Sequence, residues 1–410
     1  MKASEFREVF QNNTETAGFE GMGDVMAIIE EVRQNKDAAL RQYTEKFDGR
    51  SPASFQVPAE HLEESYNALP EAEKQALEKI RERIESYQKT IRYQNRDDGE
   101  FKYVYHPLEK VGVYVPGGTA LYPSSVLMTV VPALVAGVDE IHVVTPTFEE
   151  NNITFAALHI CGVKNVYTVG GAHAIAALAY GTESIPKVDK IVGPGNYYVA
   201  LAKRLLFGEV GIDMIAGPSE ILIYIDSDVN VDAIVYDIFA QSEHDANART
   251  FLLSENQEII DTIKSRINML IDSQPRVEII KKSLENNHYA VVDSREQLLE
   301  LINHIAPEHV SIQHKDSEMI IRNIKYAGAV FEGYYSPEAI GDYAAGPSHV
   351  LPTDRTGRFS HGLNVNDFLT SHAVISLEES TFDDIAEPAM AVARREQLDA
   401  HYQSLKIRTE

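Results

Sequence analysis

Four short segments carry side chains that could do chemistry together. Gln241 and His244 stand three apart in Gln241-Ser242-Glu243-His244-Asp245, and the helical pattern from Val231 onward puts them on one face. Imidazole is a common zinc ligand and an amide oxygen a less common one, so the pair suits a metal, although the same spacing also suits a surface pair. Asp342, between Gly341 and Tyr343 and followed by Gly346-Pro347, is expected in a loop, where its carboxylate could be a third hard ligand or a turn residue. Glu308-His309 follows Ala306-Pro307, and proline suits the first turn of a helix. Two proton acceptors would then project from one helix start, as general bases or as an exposed pair. His401 follows Glu396 by five residues. One reading joins these segments in a single metal-centred active site, and the other leaves them as separate surface and turn residues.

The rest of the chain must bring them together. Val25 to Phe47 and Ala59 to Tyr93 show apolar residues every three or four positions, which predicts helices through the first hundred residues. From Lys110 the texture changes. Short β-rich runs at Val111–Val115, Ile141–Val144, Val166–Val169 and Lys190–Val192 alternate with helical stretches, the spacing of βαβ units in an open parallel sheet. Three of these runs end in glycine-rich turns that lead into helices: Pro116-Gly117-Gly118, Gly170-Gly171 and Gly193-Pro194-Gly195-Asn196. Ligands bind beyond the carboxyl ends of such strands, and helix N-termini favour anions, so a nucleotide site is expected there. The Gly-x-Gly-x-x-Gly fingerprint is missing, so the usual dinucleotide mode is not expected. A second alternating block runs from Ile221 to Phe331, and the tail from Asp367 is read as short with a helical end.

Composition sets the bounds. The 410 residues are 44% hydrophobic and 24% charged, enough for a sizeable core. A net charge of -25 repels phosphate backbones and anionic lipid, so neither nucleic acid nor membrane is expected as a partner. The lone Cys161 cannot form an intrachain disulfide and sits in an apolar helical run, as a buried thiol would. No basic-then-apolar leader is seen at the start, and the apolar stretch from Val126 to Val138 is too short to span a bilayer. A soluble, cytoplasmic protein is expected.

The motifs Val113-Tyr114-Val115-Pro116-Gly117-Gly118, Gly193-Pro194-Gly195-Asn196, Ala216-Gly217-Pro218-Ser219-Glu220, Gln241-Ser242-Glu243-His244-Asp245, Ala306-Pro307-Glu308-His309 and Gly341-Asp342-Tyr343 occur in order. With Glu396 and Leu398-Asp399-Ala400-His401 they span the chain from about residue 20 to its end. In these motifs the sequence resembles the histidinol dehydrogenase family. The resemblance implies NAD-dependent, zinc-dependent four-electron oxidation of L-histidinol to L-histidine through L-histidinal; a related dehydrogenase acting on another small alcohol is the alternative. It implies Glu308 and His309 as catalytic residues. Gln241, His244, Asp342 and His401 would hold one zinc ion per subunit, and Ser219 and Glu396 would join these ligands and His309 around the substrate. Tyr114, His173 and Asn196 would contact NAD, with His173 standing where the family usually has glutamine and able to charge near its ordinary pKa of about 6.5.

The implied architecture is α/β, with two open, mainly parallel Rossmann-like domains and small helical N-terminal and C-terminal dimerisation segments. The expected boundaries are 1–17 for the N-terminal segment, 18–113 with 221–363 for the domain carrying metal and catalytic residues, 114–220 for the nucleotide domain and 364–410 for dimerisation. The implied assembly is a homodimer with shared active sites, in which His401 reaches the partner's zinc.

Overall fold

The computed structural model describes residues 20–117, 121–147, 152–215 and 217–409. The expected helical segment 1–17 lies outside them, as do Gly118 and Ala216 of two motifs. The chain divides into two units, one of Met1–Ile91 with Leu108–Phe368 and one of Arg92–Pro107 with Leu369–Glu410.

The first unit is built on two five-stranded, all-parallel sheets with helices between the strands, the α/β class expected. One sheet runs Asn165–Tyr167, Glu140–Val144, Lys110–Tyr114, Lys190–Val192, Gly211–Ile212. The other runs His288–Val291, Arg249–Ser254, Glu220–Ile225, His309–Gln313, Ala329–Glu332. In each, the first strand in sequence is central, the next two build outward on one side, and the last two on the other. The winding direction therefore reverses beside Lys110–Tyr114 and again beside Glu220–Ile225.

Glu220–Ile225 is buried at every position because helices cover both faces of its sheet. Leu222 and Tyr224 join Phe251 and Val310 in one core, while Ile221, Ile223 and Ile225 join Leu252 and Ile238 in another. The two-residue period of a strand divides them this way. Each such aliphatic side chain contributes about 2 kcal/mol on burial. Around the other sheet, the helix Gly171–Tyr180 is alanine-rich and buried from Ala172 to Ala179, and the small side chains let the helix Met22–Asp48 pack against it.

One polar strut matters for what the first sheet presents. The buried Lys203 ammonium donates to the buried Asp213 carboxylate and, at 3.1 Å, to the Gly193 carbonyl. Asp213 in turn accepts the Gly193 N–H at 2.7 Å. Gly193 has φ 110°, and a Cβ there would sit 2.2 Å from the Tyr114 carbonyl oxygen, so only glycine fits. The strut holds the turn that leads to Asn196.

Three expectations about elements need correction. The stretch Ala59 to Tyr93 forms two helices, Ala59–Ala68 and Glu71–Ile91, because Leu69 precedes Pro70 and adopts extended backbone (ψ 146°). The first hundred residues also contain a strand, Arg96–Asp97. Arg96–Asp97, Phe101–Pro107 and Leu369–Ile375 form an antiparallel sheet in the second unit. The tail is thus not merely helical, although Glu379–Arg395 and Asp399–Lys406 are helices. Among the described residues, no helix is long and apolar enough to cross a membrane.

Candidate active site

Glu308 and His309 do not start a helix. The helix Arg295–Ile305 ends at Ala306, whose φ of 47° is left-handed and whose N–H bonds the Ile302 carbonyl at 2.8 Å. The strand His309–Gln313 begins two residues after Pro307 and pairs with strands on both sides. Proline marks the boundary, but β-rich residues follow it.

This places the pair at the amino edge of its sheet. His309 is level with Ile221, and Glu220 with Arg249, each at the start of its strand. In the other sheet Tyr114 ends the strand Lys110–Tyr114, and Asn196 follows the end of Lys190–Val192.

Both side chains are buried, and burial drives them in opposite directions. The Glu308 carboxyl is pushed well above the usual carboxylate range, against the Glu220 N–H it accepts at 2.9 Å. The His309 imidazole is pushed down to about 4 and stays neutral. Its Nδ1 lies 3.3 Å from the Glu220 carbonyl oxygen, which can only accept, so Nδ1 carries the proton and Nε2 is the free base. Two further acceptors face Nδ1, Glu338 Oε1 at 3.4 Å and Glu308 Oε2 at 3.6 Å.

Beside them is a ligand cluster. His244 Nε2 lies 3.4 Å from Asp342 Oδ2. Ligand atoms of His244, Glu338 and Asp342 all fall within 4.8 Å of one another. Burial opposes ionisation of Asp342, but the hydrogen bond with His244 and the nearby imidazoles outweigh it and hold the carboxyl low. The same hydrogen bond raises the half-exposed His244. Gln241, the next-to-last residue of the helix Val231–Ser242, is fully buried, and both its amide atoms lack a partner among the described residues. His244 follows just beyond the helix end, its N–H reaching the Gln241 carbonyl at 3.4 Å, so a helix terminus rather than a helix face joins the two. The orphaned Gln241 amide, with the imidazole and carboxylates of the His244, Glu338 and Asp342 cluster, offers donor types that a divalent cation takes, and these residues fit zinc.

Asp342 sits in the short helix Glu338–Tyr343, not in a loop, and Pro337 precedes its first turn. Glu338 and Asp342, four apart, therefore share a face. That spacing was available in the sequence and would have found Glu338. His349 had no such signal. Its Nδ1 donates to the Asp342 carbonyl at 3.0 Å, which ties the ligand helix to the turn after Gly346.

Ser219 immediately precedes Glu220, and its hydroxyl lies against the Glu308 carboxyl. Glu396 and His401 are exposed residues of the second unit, at the end of Glu379–Arg395 and in Asp399–Lys406. Tyr114 is buried and its hydroxyl accepts the Gly171 N–H at 3.1 Å; Asn196 Oδ1 accepts Val199 N–H at 3.1 Å as a helix cap. His173 does not charge near its ordinary pKa. Its ring is 1% exposed, lies 5.8 Å from the Tyr43 ring and 6.0 Å from the Phe47 ring, and is pushed down to about 4 by burial. Cys161 is buried and its thiol pushed up to about 12, which makes a nucleophilic role untenable.

Comparison with known proteins agrees over the whole length. Residues 11–409 match the family model described as histidinol dehydrogenase. Histidinol dehydrogenase of Staphylococcus saprophyticus is 51% identical over 389 residues, covering 94% of this chain and 92% of the relative. That of Staphylococcus aureus is 50% identical over 388 residues, covering 93% of each. The crystal structure of histidinol dehydrogenase from Elizabethkingia anophelis superposes with a TM-score of 0.94 at 31% identity, covering 99% of this chain and 96% of that one.

Proposed function

The chain belongs to the histidinol dehydrogenase family, enzymes of histidine biosynthesis, and from that premise we propose that it oxidises L-histidinol through L-histidinal to L-histidine, with NAD as oxidant and one zinc ion per subunit. Gln241, His244 and Asp342 would hold the ion with His401 of the partner subunit, in a cytoplasmic homodimer. When bound, NAD accepts the hydride of each oxidation and zinc orients the imidazole and amine of the substrate as a Lewis acid.

The observation that carries the reading is the His309 ring, neutral and with its proton fixed on Nδ1. Nε2 is free to take the alcohol proton as the C–H bond breaks. Glu308, raised by burial, is a stronger base than an exposed carboxylate once ionised. In the second half it takes a proton from water as the oxygen attacks the aldehyde carbon. His309 returns its first proton to solvent between the halves, and the hydrate anion then gives its hydroxyl proton to Nε2 as the second hydride leaves, so that the carboxylate forms. The inert Cys161 favours this hydrate route over a thiohemiacetal. Ser219 and Glu396 would orient the substrate. Tyr114, His173 and Asn196 would line the nucleotide end.

Two variants test the division of labour. Glu308→Gln is expected to slow oxidation of supplied histidinal by about 100-fold or more while sparing the first hydride step. Equal loss in both halves would remove water activation from Glu308. His309→Asn is expected to depress both halves, and an intact alcohol step would require another base.

A further inference from the structure

Glu220 touches both catalytic side chains, but only through its backbone. Its N–H donates to Glu308 Oε2 at 2.9 Å, and its carbonyl accepts from His309 Nδ1 at 3.3 Å. The two peptide groups flanking residue 220 therefore set the direction of one candidate base and the tautomer of the other.

The Glu220 side chain, 1% exposed, is itself pinned. Oε1 accepts the Asp354 N–H at 3.1 Å, and Oε2 faces the Arg249 guanidinium at 3.8 Å. Arg249 also pairs with the Asp354 carboxylate. To present those groups, Asp354 and Arg355 both adopt left-handed backbone, φ 47° and 66°, at a cost of about 1 kcal/mol each. The same loop takes hold of the strand's approach. Thr353 Oγ1 accepts the Gly217 N–H at 2.5 Å, and a Cβ on Gly217 would stand 2.1 Å from Asp354 Oδ2. A buried carboxylate and a strained loop are expensive features, and together they fix residues 217–220.

We infer that Glu220 is a positioning residue: its side chain, anchored to the Asp354 amide, holds the two peptide groups that aim Glu308 and keep the His309 proton on Nδ1. The inference rests on the proposed roles of Glu308 and His309. Residue 220 enters the chemistry by placement and not by charge. Burial favours a neutral carboxyl here, pushing it up to about 7.

The test compares Glu220→Gln, Glu220→Asp and Glu220→Ala with the wild type in the zinc-loaded enzyme. Glutamine keeps the oxygen that accepts from Asp354, whereas aspartate keeps the carboxyl but withdraws it by one methylene. Placement predicts that Glu220→Asp and Glu220→Ala lose about 10- to 100-fold in kcat for histidinol and for histidinal, with KM changed by less than about threefold. Glu220→Gln should keep kcat within about threefold. The opposite ranking, aspartate active and glutamine impaired, would make the role electrostatic and overturn the inference. So would variants that melt earlier but turn over normally while folded, since that is stability alone. Where the alanine variant does not fold, the aspartate and glutamine pair decides. Nitrogen-15 spectra of the His309 ring, assigned by loss in His309→Asn, give a readout independent of turnover. The wild type and Glu220→Gln should show Nδ1–H only, and Glu220→Asp a tautomer mixture. An unchanged tautomer in Glu220→Asp would overturn the inference, whereas a wild type inactive on histidinol would fault the proposed function instead.

Discussion

His173→Gln should change how stability responds to acid. The wild-type ring is 1% exposed and neither nitrogen has a partner among the described residues, so the folded chain resists protonating it until about pH 4. The unfolded chain takes the proton at about 6.5. Between these values the unfolded state binds more protons, so stability rises with pH in that window and is lost as pH falls through it. Above 6.5 the contribution is complete and flat. The full span corresponds to about 3 kcal/mol, of which about 2 kcal/mol falls between pH 7 and pH 5. Glutamine does not titrate and removes this slope. Urea denaturation of both proteins at pH 7 and pH 5 measures it, and the wild type should lose about 2 kcal/mol more than the variant. Other buried imidazoles such as His309 contribute equally to both proteins and cancel. Identical pH dependence in the two would mean that His173 protonates as readily folded as unfolded, so that its burial does not hold the ring neutral.

The Lys203–Asp213 pair, 4% and 1% exposed in its side chains, should show the asymmetry of buried ion pairs. Lys203→Met leaves Asp213 buried and uncompensated and should cost about 3 kcal/mol in urea denaturation. Adding Asp213→Asn should return most of it, and a single variant costing under about 1 kcal/mol would contradict the strut. For the shared site, mixing inactive His401→Asn with inactive His309→Asn subunits should restore part of the activity in heterodimers. No restoration under demonstrated subunit exchange would count against a ligand donated by the partner subunit.

Most strands of the two parallel sheets were legible as short β-rich runs bounded by glycine or by a helical period, but not the two-residue Gly211–Ile212 or His309–Gln313. Lys190–Val192 falls where its pattern predicts. The pairing of Phe101–Pro107 with Leu369–Ile375 was not legible, since its contacts join residues as far apart as Tyr103 and Ser371, 268 positions along the chain. Proline at 307 gave the boundary and hid the element beyond it, because proline suits the start of either a helix or a strand. The motifs carried Glu308 and His309, but not why one is raised and the other lowered, which is a property of burial. Glu220 stood in a quoted motif with no role assigned to it. Its importance lies in a backbone N–H and C=O that every residue has, so only the fold could show it.

A four-electron oxidation at a metal-bound site requires a stoichiometry that can be measured. Purified enzyme given limiting histidinol and excess NAD should form two NADH for each histidine. Chelation should abolish turnover and zinc should restore it. One NADH per histidinol with histidinal accumulating, or full turnover after metal removal, would contradict the account.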